Sequence, residues 1–401
     1  MAKKNSKKAA RAAEKVAKKH PKLFTFLLVI LVIALIAAAC YYFFVYRKQH
    51  QGGSGGSPEV VGGNVTEIAS ADLSIHFIAP AVKASGDSAL IKVGNTEVLI
   101  DAGPNKTNTT EIADYLGAYC TDGVLEYVIA THSDSDHIAG FVGSSSGGKR
   151  NGILYTYNVG TIIQFDQVTE ETSLYREYCD AVEYAKEQGT AVYTGLQCWN
   201  GSDGAQRTYY LDEAQTISMN ILYNYYYEHV SPDNNNHSVC MLLSQDLGDG
   251  QSNHYLFTGD LEEDGEKRLV ENNELPKVEL YKAGHHGSKT SSTSELLEAI
   301  QPKYVAVCCC AGYNQYGAAE ENVFPTQAFC DRIAPYTDKV YVTIMWDEAA
   351  DSYKSMNGDI VFYYGKSENE TEKSLKLWCS ENSTVLKDTE WFKQNRTWNG
   401  A

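Results

Sequence analysis

Thr131-His132-Ser133-Asp134-Ser135-Asp136-His137 sets two imidazoles and two carboxylates within six residues, directly after the apolar run Val128-Ile129-Ala130. Imidazole and carboxylate are the side chains that hold zinc, manganese or iron. A β-strand ending in a turn can present such a cluster at a sheet edge, where the side chains converge and solvent still enters. A lone His-x-Asp would read as a polar surface turn, since Ser and Asp are ordinary turn residues. Two His flanking two Asp, with a separate His-His pair later in the chain, read as a metal site.

Three later segments repeat the arrangement. Asn235-Asn236-His237-Ser238 runs into Val239 to Leu243, which reads as a buried strand. His254-Tyr255-Leu256-Phe257 leads into Thr258-Gly259-Asp260. Val278-Glu279-Leu280-Tyr281 precedes Gly284-His285-His286-Gly287-Ser288, whose glycines let the backbone turn tightly. Five of the ten histidines fall inside the four segments. Asp260 and the His285-His286 pair follow predicted strands, as do His132 to His137, and that is where α/β sheets place their sites. Adjacent residues on an extended chain face opposite ways, which leaves a core role open for one of His285 and His286.

Taken in order, these segments resemble the metallo-β-lactamase superfamily, and within it the hydrolase domain of ComEC-type competence proteins. The resemblance extends upstream through Gly86-Asp87-Ser88-Ala89-Leu90-Ile91 and Leu99-Ile100-Asp101-Ala102-Gly103. Downstream it takes in Lys289-Thr290-Ser291-Ser292 and Asn314-Gln315-Tyr316-Gly317. It spans roughly residues 72–365, and its motifs specify the superfamily far better than they specify a substrate.

The resemblance implies an α/β fold, a four-layered αββα sandwich with metal at the open edge between two sheets. It implies His132 and Asp134 at a first metal position. Asp136, His137 and one of His285 and His286 would serve a second, with His237 as a further ligand and Asp260 bridging two ions. One or two divalent ions are the implied cofactors, zinc first and manganese second. Asp134 stands where the family often has His, and the extra carboxylate makes the donor set harder, which shifts preference toward manganese. Two other departures, Ala318-Ala319 in place of His-Pro and the apolar Ile78-Ala79-Pro80-Ala81, fall on the substrate-facing rim. The implied reaction is metal-assisted hydrolysis: the bound ion lowers the pKa of its water from ~15.7 to about 7, and Asp136 is the catalytic residue that orients the resulting hydroxide. No Ser-His-Asp or Cys-His nucleophile pattern competes with this chemistry, and Ser288 reads as a turn residue.

Residues 1–22 carry nine Lys or Arg against one Glu, and Leu23 to Tyr46 is apolar except for Thr25. At ~1.5 Å per residue that run reaches about 36 Å, enough for a ~30 Å hydrocarbon core. The charge asymmetry predicts a cytoplasmic tail (1–22), a transmembrane helix (23–46) and a hydrolase domain outside the membrane. Gln51-Gly52-Gly53-Ser54-Gly55-Gly56-Ser57 reads as part of a flexible linker over 47–71. The hydrolase domain is expected over 72–365 and a C-terminal extension over 366–401. For the segment from Thr384 on, with Trp391, Phe392 and Trp398, two readings stay open: a cover over a sheet edge, or a loose tail. Helices are predicted over Ser173–Gln188, Glu295–Ile300 and Gln327–Ile333.

Eleven of the 34 basic residues lie at or before Lys48, which leaves 23 against 50 acidic ones beyond it, a formal charge of −27. A nucleic-acid-binding surface ordinarily shows a basic footprint, so a phosphodiester or nucleic-acid substrate follows from the resemblance and against the charge. Tyrosine is abundant, at 28 residues, and Tyr223-Asn224-Tyr225-Tyr226-Tyr227 reads as an edge strand or packing ridge, with base or sugar stacking as the alternative. Cys308-Cys309-Cys310 continues an apolar strand pattern, where Cys acts as a small apolar residue. The expected function is therefore a membrane-anchored, extracytoplasmic metal-dependent phosphodiesterase or nuclease-like enzyme. The alternatives are a lactone, β-lactam or cell-wall ester hydrolase of the same fold, and a surface protein that keeps the fold for binding.

Overall fold

Apolar residues at every second position make most of the strands two-faced, and the fold follows from how those faces are covered. The computed structural model describes residues 65–400 apart from positions 81, 147, 315–318, 320–321 and 368. The basic tail, the apolar span 23–46, most of the linker and the Gln315-Tyr316-Gly317-Ala318 rim therefore lie outside the described residues. Among the described residues no helix is long and apolar enough to cross a membrane.

The first half of the fold supplies β1 (Leu73–Phe77), β2 (Ala89–Val93), β3 (Thr96–Ile100), β4 (Val124–Ala130), the short arms β5 (Ser145–Ser146) and β6 (Lys149–Arg150), β7 (Asn158–Gln164) and β8 (Ala191–Thr194). The second half supplies β9 (Thr208–Tyr210), β10 (Ile217–Ile221), β11 (Met241–Gly248), β12 (Gln251–Phe257), β13 (Leu280–Lys282), β14 (Tyr304–Ala311), β15 (Val340–Asp347) and β16 (Ser352–Ser355). Then β17 (Ile360–Gly365) and β18 (Ser374–Cys379) return to the first half. Sheet one runs β18-β17-β1-β2-β3-β4-β7-β8, and sheet two runs β16-β15-β14-β13-β12-β11-β10-β9. Both are mixed: β3, β4, β7 and β8 are parallel in the first, and β12 to β15 in the second.

Alternation along the strands assigns each face. Ile91, Val98, Ile100 and Ile129 point between the sheets, where Leu243, Tyr255, Ala306 and Phe362 meet them. Leu90, Leu99, Val128 and Ala130 face outward, under helices α2 (Thr109–Tyr119), α3 (Ser135–Val142), α4 (Ile153–Thr156) and α5 (Ser173–Glu187). Sheet two is covered in the same way by α7 (Glu263–Asn272), α8 (Ser294–Ile300), α9 (Gln327–Ile333) and α10 (Glu390–Asn395), which follow α6 (Gly195–Asn200). Each fully buried Leu, Ile or Phe in these layers contributes roughly 1.5–3 kcal/mol. α5 shows the local logic: the Thr172 hydroxyl caps it by accepting from the Tyr175 amide, and Tyr178, Ala181, Val182 and Ala185 form its buried stripe.

The fold reaches past two of the expected boundaries. Within the expected linker, Val65–Ala69 forms helix α1, and Ile68 is buried against Val361 and Tyr363 of β17. Beyond residue 365, β18 pairs along the whole of β17, and α10 buries Phe392 in the layer outside sheet two while Trp391 and Trp398 pack on it. The tyrosine run is not an edge strand: Tyr225–Tyr227 is a 3-10 turn capped by Asn224, whose side chain also holds the Asn236 and Ser238 carbonyls. In β14, Cys308 faces the inter-sheet core and Cys309 the outer layer.

Candidate metal centre

The parallel strands of both sheets end at one edge of the sandwich, and four residues converge there. β4 ends at Ala130, and Asp136 and His137 occupy the first turn of α3, where a carboxylate also suits the helix N-terminus. β12 ends three residues before Asp260, and β13 is followed by the turn Gly284–Gly287. Asp136, His137, Asp260 and His286 each place a donor atom within 4.8 Å of the others. His137 Nε2 lies 3.1 Å from Asp260 Oδ2; His286 Nε2 lies 3.0 Å from the same oxygen and 3.2 Å from Asp136 Oδ2.

Close packing of backbone holds α3 in place. The Asp136 carbonyl accepts from the Asp87 amide (3.1 Å) and the His137 carbonyl from the Ala102 amide (2.7 Å). Gly103 must lack a side chain, because a Cβ there would sit 1.6 Å from the Asp136 carbonyl oxygen. On the opposite wall His285 and His286 adopt positive φ, 44° and 53°, a left-handed pair that non-glycine residues seldom form. This turn separates them. His286 enters the cluster, while His285 Nδ1 faces Thr290 Oγ1 (3.1 Å) and Glu262 (3.3 Å).

Both clustered histidines are anchored from behind. His137 Nδ1 donates to Asp101 Oδ2 (2.7 Å); His286 Nδ1 donates to the Cys308 carbonyl (3.0 Å) and lies 3.2 Å from Asp87 Oδ1. A carboxylate or carbonyl only accepts, so the proton sits on Nδ1 and Nε2 is turned toward Asp260. That is the carboxylate–histidine arrangement that orients metal ligands. Asp101 is itself pinned by the Thr131 amide (2.8 Å) and hydroxyl (2.7 Å). His286 Nε2 makes no hydrogen bond among the described residues despite its close oxygens. Two imidazoles and two carboxylates converging in this way fit a divalent cation.

Electrostatics agree with that fit. Burial would lower the pKa of His137, but Asp260 and Asp101 outweigh it and hold it well above the ordinary value. Burial is likewise outweighed at His286, by Asp260 and Asp87. The carboxyls of Asp136 and Asp260 would be raised by burial, yet the two histidines, and Lys282 at Asp260, hold both below the usual range.

The remaining predicted residues do not join the cluster. His132 is buried, its ring 4.0 Å from that of His137, and burial pushes its pKa down to about 3. Its Nε2 lies 3.9 Å from Asp134 Oδ2 and makes no hydrogen bond among the described residues. Asp134, 41 % exposed, is tied to Asn234 (2.9 Å). His237 is buried, and its Nε2 accepts from the Ser231 amide (3.4 Å). Three side chains packed on the cluster had no role assigned from sequence: Asp87, Asp101 and Lys282. The first two stand in the motifs that carried the family resemblance, a signal available from the start. The buried Lys282 ammonium ion-pairs with Asp87 and with Asp260 (3.1 Å).

No family model matches this chain. It is similar to ComE operon protein 3 of Bacillus subtilis (strain 168), 24% identical over 295 residues, which cover 66% of this chain and 33% of that protein; the chain thus spans about a third of the relative's length. Among solved structures it is similar to the metallo-β-lactamase fold protein YhfI from Bacillus subtilis, with a TM-score of 0.38 and 11% identity over 69% of this chain and 96% of that one. It is also similar to Rm3 metallo-β-lactamase, with a TM-score of 0.29 and 10% identity over 59% and 85% of the two chains. The α/β sandwich with its Asp/His cluster supports a site for a divalent metal.

Proposed function

We propose that this protein is a membrane-anchored, extracytoplasmic hydrolase of the metallo-β-lactamase fold that cleaves phosphodiesters, with zinc as the first expected ion and manganese the second. The observation that carries the hydrolase reading is the convergence of Asp136, His137, Asp260 and His286 at the carboxyl ends of parallel strands, with both histidines anchored through Nδ1. A divalent ion held there supplies Lewis acidity and water of lowered pKa. The chain's own residues do the rest. Asp101 and the Cys308 carbonyl fix the ring orientations, with Asp87 beside His286. Asp136, whose side chain is 18 % exposed while its neighbours are almost wholly buried, stands at the solvent side and can orient an attacking water by accepting its proton in a hydrogen bond.

The substrate class rests on the resemblance to competence-protein hydrolases, and the charge of −27 beyond Lys48 shapes how it should behave. Long-range attraction cannot draw a polyanion to this surface, and screening within ~8 Å at physiological salt limits the repulsion. Activity should therefore depend strongly on metal and weakly on salt. The test is the full-length chain, loaded with Zn²⁺ or Mn²⁺, on bis-aryl phosphate, single-stranded DNA, a lactone, a β-lactam and an ester. Turnover of the aryl phosphate nearly as readily as DNA, abolished in Asp136→Ala, supports the reading. Intact phosphodiesters alongside a cleaved ester or lactam would transfer the site to the other substrate class. Protease added to intact cells tests the topology: residues beyond Gln51 should be digested and the basic tail spared.

A further inference from the structure

Lys282, the last residue of β13, is buried among carboxylates. Its Nζ pairs with Asp87 Oδ2, lies 3.1 Å from Asp260 Oδ1 and donates to the Gly259 carbonyl at 3.1 Å. An ammonium has three protons to give, and all three have acceptors. Asp260 thereby divides its two oxygens. Oδ2 meets the Nε2 atoms of His137 and His286, whereas Oδ1 is bound to the lysine. A carboxylate that bridges two ions offers one oxygen to each, and here the second oxygen already faces a fixed positive charge. On the solvent side, Asp134 is held by Asn234 and His237 by Ser231, apart from the cluster.

Resting on the metal-site reading above, we propose that Lys282 sets the metal content at one ion per chain: its ammonium takes the Asp260 oxygen that a second ion would need and supplies the charge that ion would bring. Lys282 is a positioning residue in this account, holding Asp260 and Asp87 so that one oxygen of Asp260 is aimed at the two imidazoles. The one-or-two count open from sequence becomes one.

The experiment is a count of ions. Full-length protein stripped by chelator is titrated calorimetrically with Mn²⁺ and, separately, with Zn²⁺, then desalted for elemental analysis. Wild type should hold one ion per chain. Lys282→Met should hold two, because Asp87 and Asp260 lose their compensating charge, and Lys282→Arg should return to one. Two ions in wild type overturn the proposal and leave the hydrolase reading standing; no ion overturns both. Lys282→Met that stays at one ion with wild-type affinity also overturns it. The wild-type count needs no variant to fold, and Asp87→Asn, which leaves the contact between Lys282 and Asp260 Oδ1, gives a second arm expected to hold one ion.

Discussion

The two ends of the sandwich are both acidic, yet only one gathers the groups of a metal centre. Around the amino ends of β1, β3 and β10 lies a cavity of about 720 Å³ whose lining includes Asp72, Asp212, Glu213, Asp246 and Lys373. Its carboxylates are occupied locally: Asp72 pairs with Lys373 (2.6 Å), Asp212 accepts from the Ile217 amide (2.7 Å), and Asp246 from the Gly248 amide (2.8 Å). None of its lining residues is a histidine. At the carboxyl ends, Asp87, Asp101 and Asp260 are buried and aimed at shared imidazoles. A roomy acidic cavity is therefore not by itself a metal site. Size and acidity do not create a site; burial makes each charge seek a partner, and convergence makes the partners share one.

The largest expected difference between the ends is in metal retention. Asp260→Ala should lose most bound Mn²⁺ or Zn²⁺ and all measurable hydrolysis, while Asp246→Ala at the other end should keep both; equal losses in elemental analysis would erase the distinction. Asp101→Asn comes next. Removing the partner of His137 Nδ1 should weaken metal binding by roughly 10–100-fold, as outer-shell changes do, and calorimetry would read the change in Kd.

Backbone approach gives a smaller effect. Gly103→Ala collides with the Asp136 carbonyl and should cost about 1–3 kcal/mol or more, with weaker metal binding. Gly94→Ala at the far end meets open space and carries only the strain of φ +58°, about 1 kcal/mol with no metal effect. Urea unfolding of the two variants separates the cases, and similar losses would show that the close approach at Gly103 is unimportant.

Histidine protonation supplies a pH test. Burial, helped by Lys92, lowers the pKa of His76 to about 3, and it is held neutral between Tyr115 (2.8 Å) and Ser74 (2.8 Å). A depressed pKa stabilises the fold above the unfolded value of about 6.5, and that stability is lost as pH falls toward 3. Between pH 6.5 and 4.5 the loss should be on the order of 2–3 kcal/mol. His137 and His286 have the opposite sign: without metal their contribution is complete below pH ~6.5 and fades as pH rises through their raised values. Unfolding of metal-free wild type and His76→Gln across pH 4.5–6.5 should show a flatter slope in the variant; matching slopes would remove His76 as the source.

The apolar strand pattern of β14 and the helix α5 were legible because they are local patterns: each residue's face follows from its neighbours in sequence. The motif order likewise pointed to Asp136, His137, Asp260 and the His285-His286 pair before any fold was known. The boundaries at 71 and 365 were not legible, because Ile68 packs on β17, hundreds of residues away in sequence, and β18 pairs along that same strand. Nor could sequence choose His286 over His285, since that depends on two successive left-handed residues. The same holds for Asp87, Asp101 and Lys282. Their residue types were visible, but a carboxylate becomes the brace of an imidazole, or a lysine the counter-charge of Asp260, only where burial removes water and geometry leaves one partner within reach.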